Sequence, residues 1–406
     1  MIEKHTSKNG LRIVVEKVPA VRSVTIGVWI LVGSRHENSK NNGISHFLEH
    51  MFFKGTKKRS AQDIAEAFDS IGGQVNAFTS KEYTCLYARV LDTHKEQALE
   101  ILSDMFFHSI FDEAEMAREK KVISEEIKMY EDTPDDFVHD LLAQASFGDH
   151  SLGYPILGTE KHLNTFTKET LHTYIKDNYT PENTVISIAG NVDDTFIPVV
   201  EKYFDQFDLV SNNNYNHLTK PEFLAKQMIR NKEIEQAHLC MGYKALKLGD
   251  ELSYSLIVMN NVLGGSMSSR LFQEIREKHG LAYAVFSYHS SFLDNGILTI
   301  YAGTSKEHVK QLKDIIYQTI DDFVTNSLTN KELMNSKEQL KGNIVLSLES
   351  TNSRMSRNGK NELLLKRHRS LDHMIKEIDA VTEETVQSVI KLIFNQEPSL
   401  ALVAPK

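Results

Sequence analysis

Two histidines and a glutamate fall within five residues in HFLEH, residues 46–50, inside the apolar run GISHFLEHMFFKGT. On a helix, at about 100° per residue, His46 and His50 are about 40° apart and Glu49 lies about 60° to the other side of His46, so all three share one face. Two imidazoles at i and i+4 can hold one Zn2+ through nitrogen at ~2.0–2.1 Å, and the neighbouring carboxylate can take a proton from a water at that metal. The arrangement is the HExxH motif run backwards. Two core histidines bonded to backbone, with Glu49 solvated at a helix end, would give the same five letters.

A catalytic zinc takes a third protein ligand and leaves its fourth position to water. The segment EAEMAREKKVISEEIKMYED, residues 113–132, reads as a helix. With Met116 at 0°, residues Val122, Ile123, Ile127, Met129 and Tyr130 form an arc from about 220° through 0° to about 20°. Glu126 near 280° and Glu119 near 300° lie inside that arc, whereas Glu125 at about 180° lies outside it. Glu115 points the same way but occupies the first turn, where acids suit the helix N-terminus. A carboxylate aimed into a core is costly unless paired or metal-bound, so Glu126 and Glu119 are the candidates. A salt bridge to Lys or Arg is the other way to satisfy either one. The following DTPDD supplies Thr133 as N-cap and Pro134 as first residue of the next helix, with Asp135 and Asp136 in its first turn, a capping pattern rather than a metal site.

The elements that must position these residues repeat along the chain. At 406 residues the chain is long enough for two domains or a duplicated one. IGGQVNAFTSKEYTCLYARVLDTHKEQALEILSDMF gives a Gly turn, two strand-like runs and an amphipathic helix; HGLAYAVFSYHSSFLDNGILTIYAGTSKEHVKQLKDIIYQTI repeats that order. A strand-then-helix unit precedes each, but the second-half helix around LSYSLIVMNNVLG lacks any histidine or carboxylate pair. The pattern predicts an α+β protein of two related domains from internal duplication, each a mostly antiparallel sheet covered by helices. The polar break VSNNNYNHLTKPE predicts boundaries of 1–210 for the first domain, 211–222 for a linker and 223–406 for the second.

Composition narrows the function classes. A net charge of −9 argues against a nucleic-acid binder, which needs a basic face to neutralise phosphates. The two cysteines, Cys85 and Cys240, sit in strand-like runs and read as buried reduced thiols. The longest apolar run, residues 24–33, is far short of the ~20 residues that span a bilayer, and MIEKHTSKNG has neither an apolar h-region nor Arg-rich amphipathic character. The expectation is a soluble cytoplasmic protein. GGSMSSR, residues 264–270, lacks the phosphate-loop pattern and reads as a turn at a helix terminus.

These residues resemble the inverted-motif zinc peptidases, the family of mitochondrial processing peptidase, insulin-degrading enzyme and their short bacterial relatives. That family places a ligand glutamate 76 residues after the second histidine and a further acid seven residues before the ligand; Glu126 and Glu119 stand at those positions. The resemblance spans essentially the whole chain. It implies a zinc-dependent endopeptidase acting on peptides or unfolded segments, with two domains closing like a clamshell around a chamber and one Zn2+ per chain, held by His46, His50 and Glu126. Glu49 would be the general base and Glu119 a support to the ligands. GGQVNAFTS resembles the family's peptide-pairing edge strand, with Asn76, Ala77 and Phe78 lining it. IREKHGLAYAV resembles the second-domain segment whose Arg276 and Tyr283 orient substrate. Members of this size form homodimers; some relatives are non-catalytic partners, but these lose the motif or the distal glutamate. An active subunit of a heterodimer is opposed by the presence of Arg276 and Tyr283 in cis.

Overall fold

A computed structural model describes residues 2–207 and 218–406. Most of the expected linker, residues 211–217, lies outside the described residues. Strands β1 (Ile2–Thr6), β2 (Arg12–Lys17), β3 (Ser23–Ile30), β4 (Gln74–Thr79), β5 (Thr84–Leu91) and β6 (Thr184–Gly190) form one sheet in the order β1-β2-β6-β3-β5-β4. Strands β7 (Gln227–Lys232), β8 (Ala237–Ala245), β9 (Val285–Ser291), β10 (Gly296–Thr304) and β11 (Ser399–Pro405) form a second, ordered β7-β11-β8-β10-β9. The pairs β2/β6 and β7/β11 are parallel and the others antiparallel. Without β1 the two sheets have the same order and the same strand directions, so the expected α+β duplication holds strand by strand.

The chain divides into two compact units, neither of them continuous. Unit 1 comprises Met1–Ile127, Pro155–Leu218 and Ser347–His368; unit 2 comprises Lys128–Tyr154, Thr219–Leu346 and Arg369–Lys406. The expected division at 1–210 and 223–406 is thus modified by one segment exchanged from each half. In unit 1, the helix Thr351–Leu365 lays Met355 and Leu363 against Val14, Trp29, Cys85 and Val185 on the outer face of the sheet. The approach is close enough that a Cβ on Gly359 would fall 2.3 Å from Trp29 Nε1. In unit 2, the helix Pro134–Phe147 lays Val138, Leu141 and Leu142 against Cys240, Ile297, Tyr301 and Val403. An amphipathic face says that a helix must be buried, not which of two equivalent sheets buries it.

These helices explain the apolar run in β3. From Val24 to Ile30 every residue is buried, because one face meets the main core through Val24, Ile26, Val28 and Ile30 while Trp29 turns to the outer helix. A strand covered on both faces loses polar alternation. Both cysteines are buried and free. No helix among the described residues is long and apolar enough to cross a membrane.

Candidate metal centre

The motif forms on the helix Ile44–Met51, which packs on the unit 1 sheet through Ile44, Phe47, Leu48 and Met51. Its N-terminus begins at Gly43, at φ 95°, a left-handed conformation that glycine adopts without strain. The orphan N-terminal donors are satisfied by Glu37, which accepts from Gly43 N–H at 2.7 Å, Ser45 N–H at 2.9 Å and the Asn42 amide at 2.9 Å. Glu37 is buried, and nothing in the polar loop SRHENSKNNG marked it.

The second part comes from the helix Glu113–Asp132, which has the expected span. Its buried stripe is narrower than the sequence arc: Met116, Glu119, Ile123 and Ile127 are buried, whereas Val122 and Met129 are 52% and 66% exposed. The helix therefore touches the core along one edge of its apolar arc. Glu119 lies inside the buried stripe, and Glu126 sits at its margin with its side chain 34% exposed. Thr133 occupies the N-cap position and Pro134 the first turn of the next helix as expected, but the Thr133 hydroxyl makes no cap bond and donates instead to Met129 O at 2.8 Å.

His46, His50 and Glu126 converge: one ligand atom from each lies within 4.8 Å of the others. Glu126 Oε2 is 3.8 Å from His46 Nε2 and 3.6 Å from His50 Nε2. Bonds of ~2.0–2.1 Å at a tetrahedral angle would put ligand atoms about 3.3–3.4 Å apart, so this two-nitrogen, one-carboxylate triangle fits a zinc ion with little adjustment. Burial, then the charge of His50, pushes His46 down to about 3, leaving it neutral as a metal ligand must be. His50 Nδ1 meets Glu119 Oε1 at 2.7 Å, so a proton on Nδ1 leaves Nε2 facing Glu126. The other Glu119 oxygen pairs with Lys54 Nζ at 2.7 Å. Burial alone would raise the Glu119 carboxyl, but the bonds from His50 and Lys54 outweigh it and hold the group below the usual carboxylate range.

Glu49 shares the helix face, and its Oε2 accepts a hydrogen bond of 2.5 Å from Thr79 Oγ1. Burial pushes its carboxyl above the usual range against the effect of that bond, and the charge of Glu126 pushes the same way. Thr79 and Lys54 escaped the sequence reading. The one signal for Lys54 was its place four residues after His50, one helical turn on, behind two phenylalanines.

Asn76, Ala77 and Phe78 lie on β4, which forms the edge of its sheet and pairs only with β5. Ala77 N–H bonds the Asn76 side chain at 2.8 Å, and Phe78 packs edge-on to Trp29 at 5.6 Å on the outer face. Arg276 and Tyr283 belong to unit 2. They meet each other, the guanidinium lying 4.6 Å from the Tyr283 ring centre and 4.9 Å from that of Phe272, and Tyr283 is 80% exposed.

Known proteins resemble this chain along its length. Residues 12–160 match the insulinase family, peptidase family M16, and residues 165–340 match the peptidase M16 inactive domain. A Bacillus subtilis protein bearing the name uncharacterized zinc protease YmxG is 59% identical over 405 residues, covering 100% of this chain and 98% of its own. A Streptomyces coelicolor protein, also named a zinc protease, is 41% identical over 100% of this chain and 90% of its own. A crystal structure of a protease from Helicobacter pylori superposes with a TM-score of 0.91 at 21% identity, covering 100% of this chain and 99% of that one. That structure shares the fold. The two halves, one with the ligand triangle and one without, and the matching of both to their respective domains show that the chain belongs to the insulinase family of peptidases, M16.

Proposed function

We propose that this protein is a zinc-dependent endopeptidase that cleaves peptides or unfolded segments. The observation that carries the reading is the triangle of His46, His50 and Glu126 with Glu49 on the same helix face. His46 and His50 offer neutral nitrogens and Glu126 an oxygen; one zinc per chain, when held there, supplies Lewis acidity to the scissile carbonyl and the attacking water. Glu49 takes the proton of that water and returns it to the leaving amine, a role worth ~10²–10⁴ in rate. Glu119 fixes the His50 tautomer. The free edge of β4 at Asn76–Phe78 receives the peptide as an added strand, its backbone supplying affinity without regard to sequence.

Arg276 and Tyr283 orient the substrate; their stacking and the exposure of Tyr283 support this role. The reading further includes a homodimer in the cytoplasm, which sedimentation and cell fractionation would check. The deciding experiment is mass-spectrometric analysis of a mixed oligopeptide pool incubated with the equimolar-zinc protein and with Glu49→Gln. Cleavage by the wild type alone, both binding one zinc, is the expected result. Intact peptides in both samples despite bound zinc would overturn it.

A further inference from the structure

We propose that Thr79 is the positioning residue for the base: its hydroxyl holds the Glu49 carboxylate at the end of the edge strand, so that the strand receiving the peptide and the group activating the water are set by one hairpin. The inference rests on the peptidase reading for its consequence, but not for its geometry. Thr79 is the last residue of β4, three positions from Asn76. Its Oγ1 lies 2.5 Å from Glu49 Oε2, and a hydroxyl has a single proton to give, so that bond commits the Thr79 side chain to one carboxylate oxygen; the Thr79 backbone N–H bonds the same carboxylate.

The donor itself is anchored. Thr79 pairs with Thr84 across the hairpin, and Thr84 Oγ1 donates to Val32 O at 2.8 Å. The turn between them is held by Ser80 N–H to Tyr83 O at 2.8 Å, Ser34 N–H to Ser80 O at 3.1 Å and Arg35 N–H to Lys81 O at 2.7 Å. Beneath it Arg35 and Glu82 form a buried ion pair at 2.5 Å. A β-branched side chain on such a support has little rotamer freedom. Without the hydroxyl, the Thr79 backbone N–H alone remains on this strand to hold a side chain with three torsions, and small misplacement of a reacting group is costly.

The test compares Thr79→Val, which keeps the shape and removes the proton, with Thr79→Ser, which keeps the proton. Kinetics on a peptide found in the pool experiment should show kcat reduced about tenfold to 100-fold in Thr79→Val, with KM and bound zinc unchanged and Thr79→Ser within about threefold of wild type. Crystal structures of both zinc-loaded variants supply a reading independent of turnover: the Glu49 carboxylate should leave its place in Thr79→Val and keep it in Thr79→Ser. An unmoved Glu49 in Thr79→Val, equal impairment of the two variants, or loss of zinc from Thr79→Val would overturn the inference. A wild type that cleaves nothing would overturn the peptidase reading instead, and the position of Glu49 would still decide the role of Thr79.

Discussion

The two units solve the same packing problem with different chemistry. In each, a helix after the central strand lies beside a long helix further along the chain. In unit 2 the first of these, Ser253–Gly264, touches its neighbour Asn330–Ser347 through a neutral amide: Asn261 Nδ2 donates to Ser336 Oγ and Gln339 Oε1, both at 3.0 Å. In unit 1 the same junction is made by His50 and Glu119 at 2.7 Å, backed by Lys54, with Glu126 facing both histidines. A few neutral hydrogen bonds suffice to join the helices. The ionisable set in unit 1 is therefore excess to folding, and each buried charge in it needs a partner that unit 2 does without.

The comparison can be broken at several points. Glu126→Gln should abolish zinc binding at equimolar metal while leaving the unfolding transition of the metal-free protein nearly unchanged, read by metal analysis and urea denaturation; a large stability loss would mean that Glu126 serves packing. Lys54→Met should weaken zinc about tenfold to 100-fold in chelator competition, because Glu119 loses the charge that holds it ionised beside His50. Lys54→Arg should restore most of that affinity. Asn261→Ala should cost about 1–2 kcal/mol in urea unfolding and leave zinc affinity untouched, the reverse pattern to Lys54→Met.

A smaller effect depends on pH. His36, next to the Glu37 cap, accepts Gly33 N–H at 3.1 Å, and burial followed by the charge of Arg35 lowers it to about 4 from 6.5. Its folded pKa is depressed, so between those values the unfolded chain binds more protons. The stability contribution is full above about 6.5 and is lost as pH falls toward 4. Urea midpoints of the metal-free protein should drop across that window, and His36→Gln should lessen the drop, the remainder coming from other lowered histidines such as His46; an unchanged slope would remove His36 from the account.

Much of this was legible in the order of residues. HFLEH fixed its own face through the 3.6-residue repeat, and the duplicated strand-strand-helix pattern carried the α+β class, because both are local consequences of side-chain periodicity. The helix of residues 113–132 was equally plain, although its arc included Val122 and Met129, which lie in the open. Periodicity reports which side chains are apolar, whereas burial depends on what packs against them.

Tertiary structure decided the rest, and each case involves distance along the chain. Thr79 is 30 residues from Glu49, whose carboxylate it bonds, and no spacing rule links a strand end to a helix face. Glu37 lies in a polar loop with no signal of its own, and only the folded chain brings its carboxylate onto the helix start. The exchange of the helices Thr351–Leu365 and Pro134–Phe147 between units needed the fold itself, because two sheets of one design offer an apolar helix the same surface. The sequence by itself determined the candidate ligands and the architecture that repeats; only the folded chain determined which groups hold those side chains still.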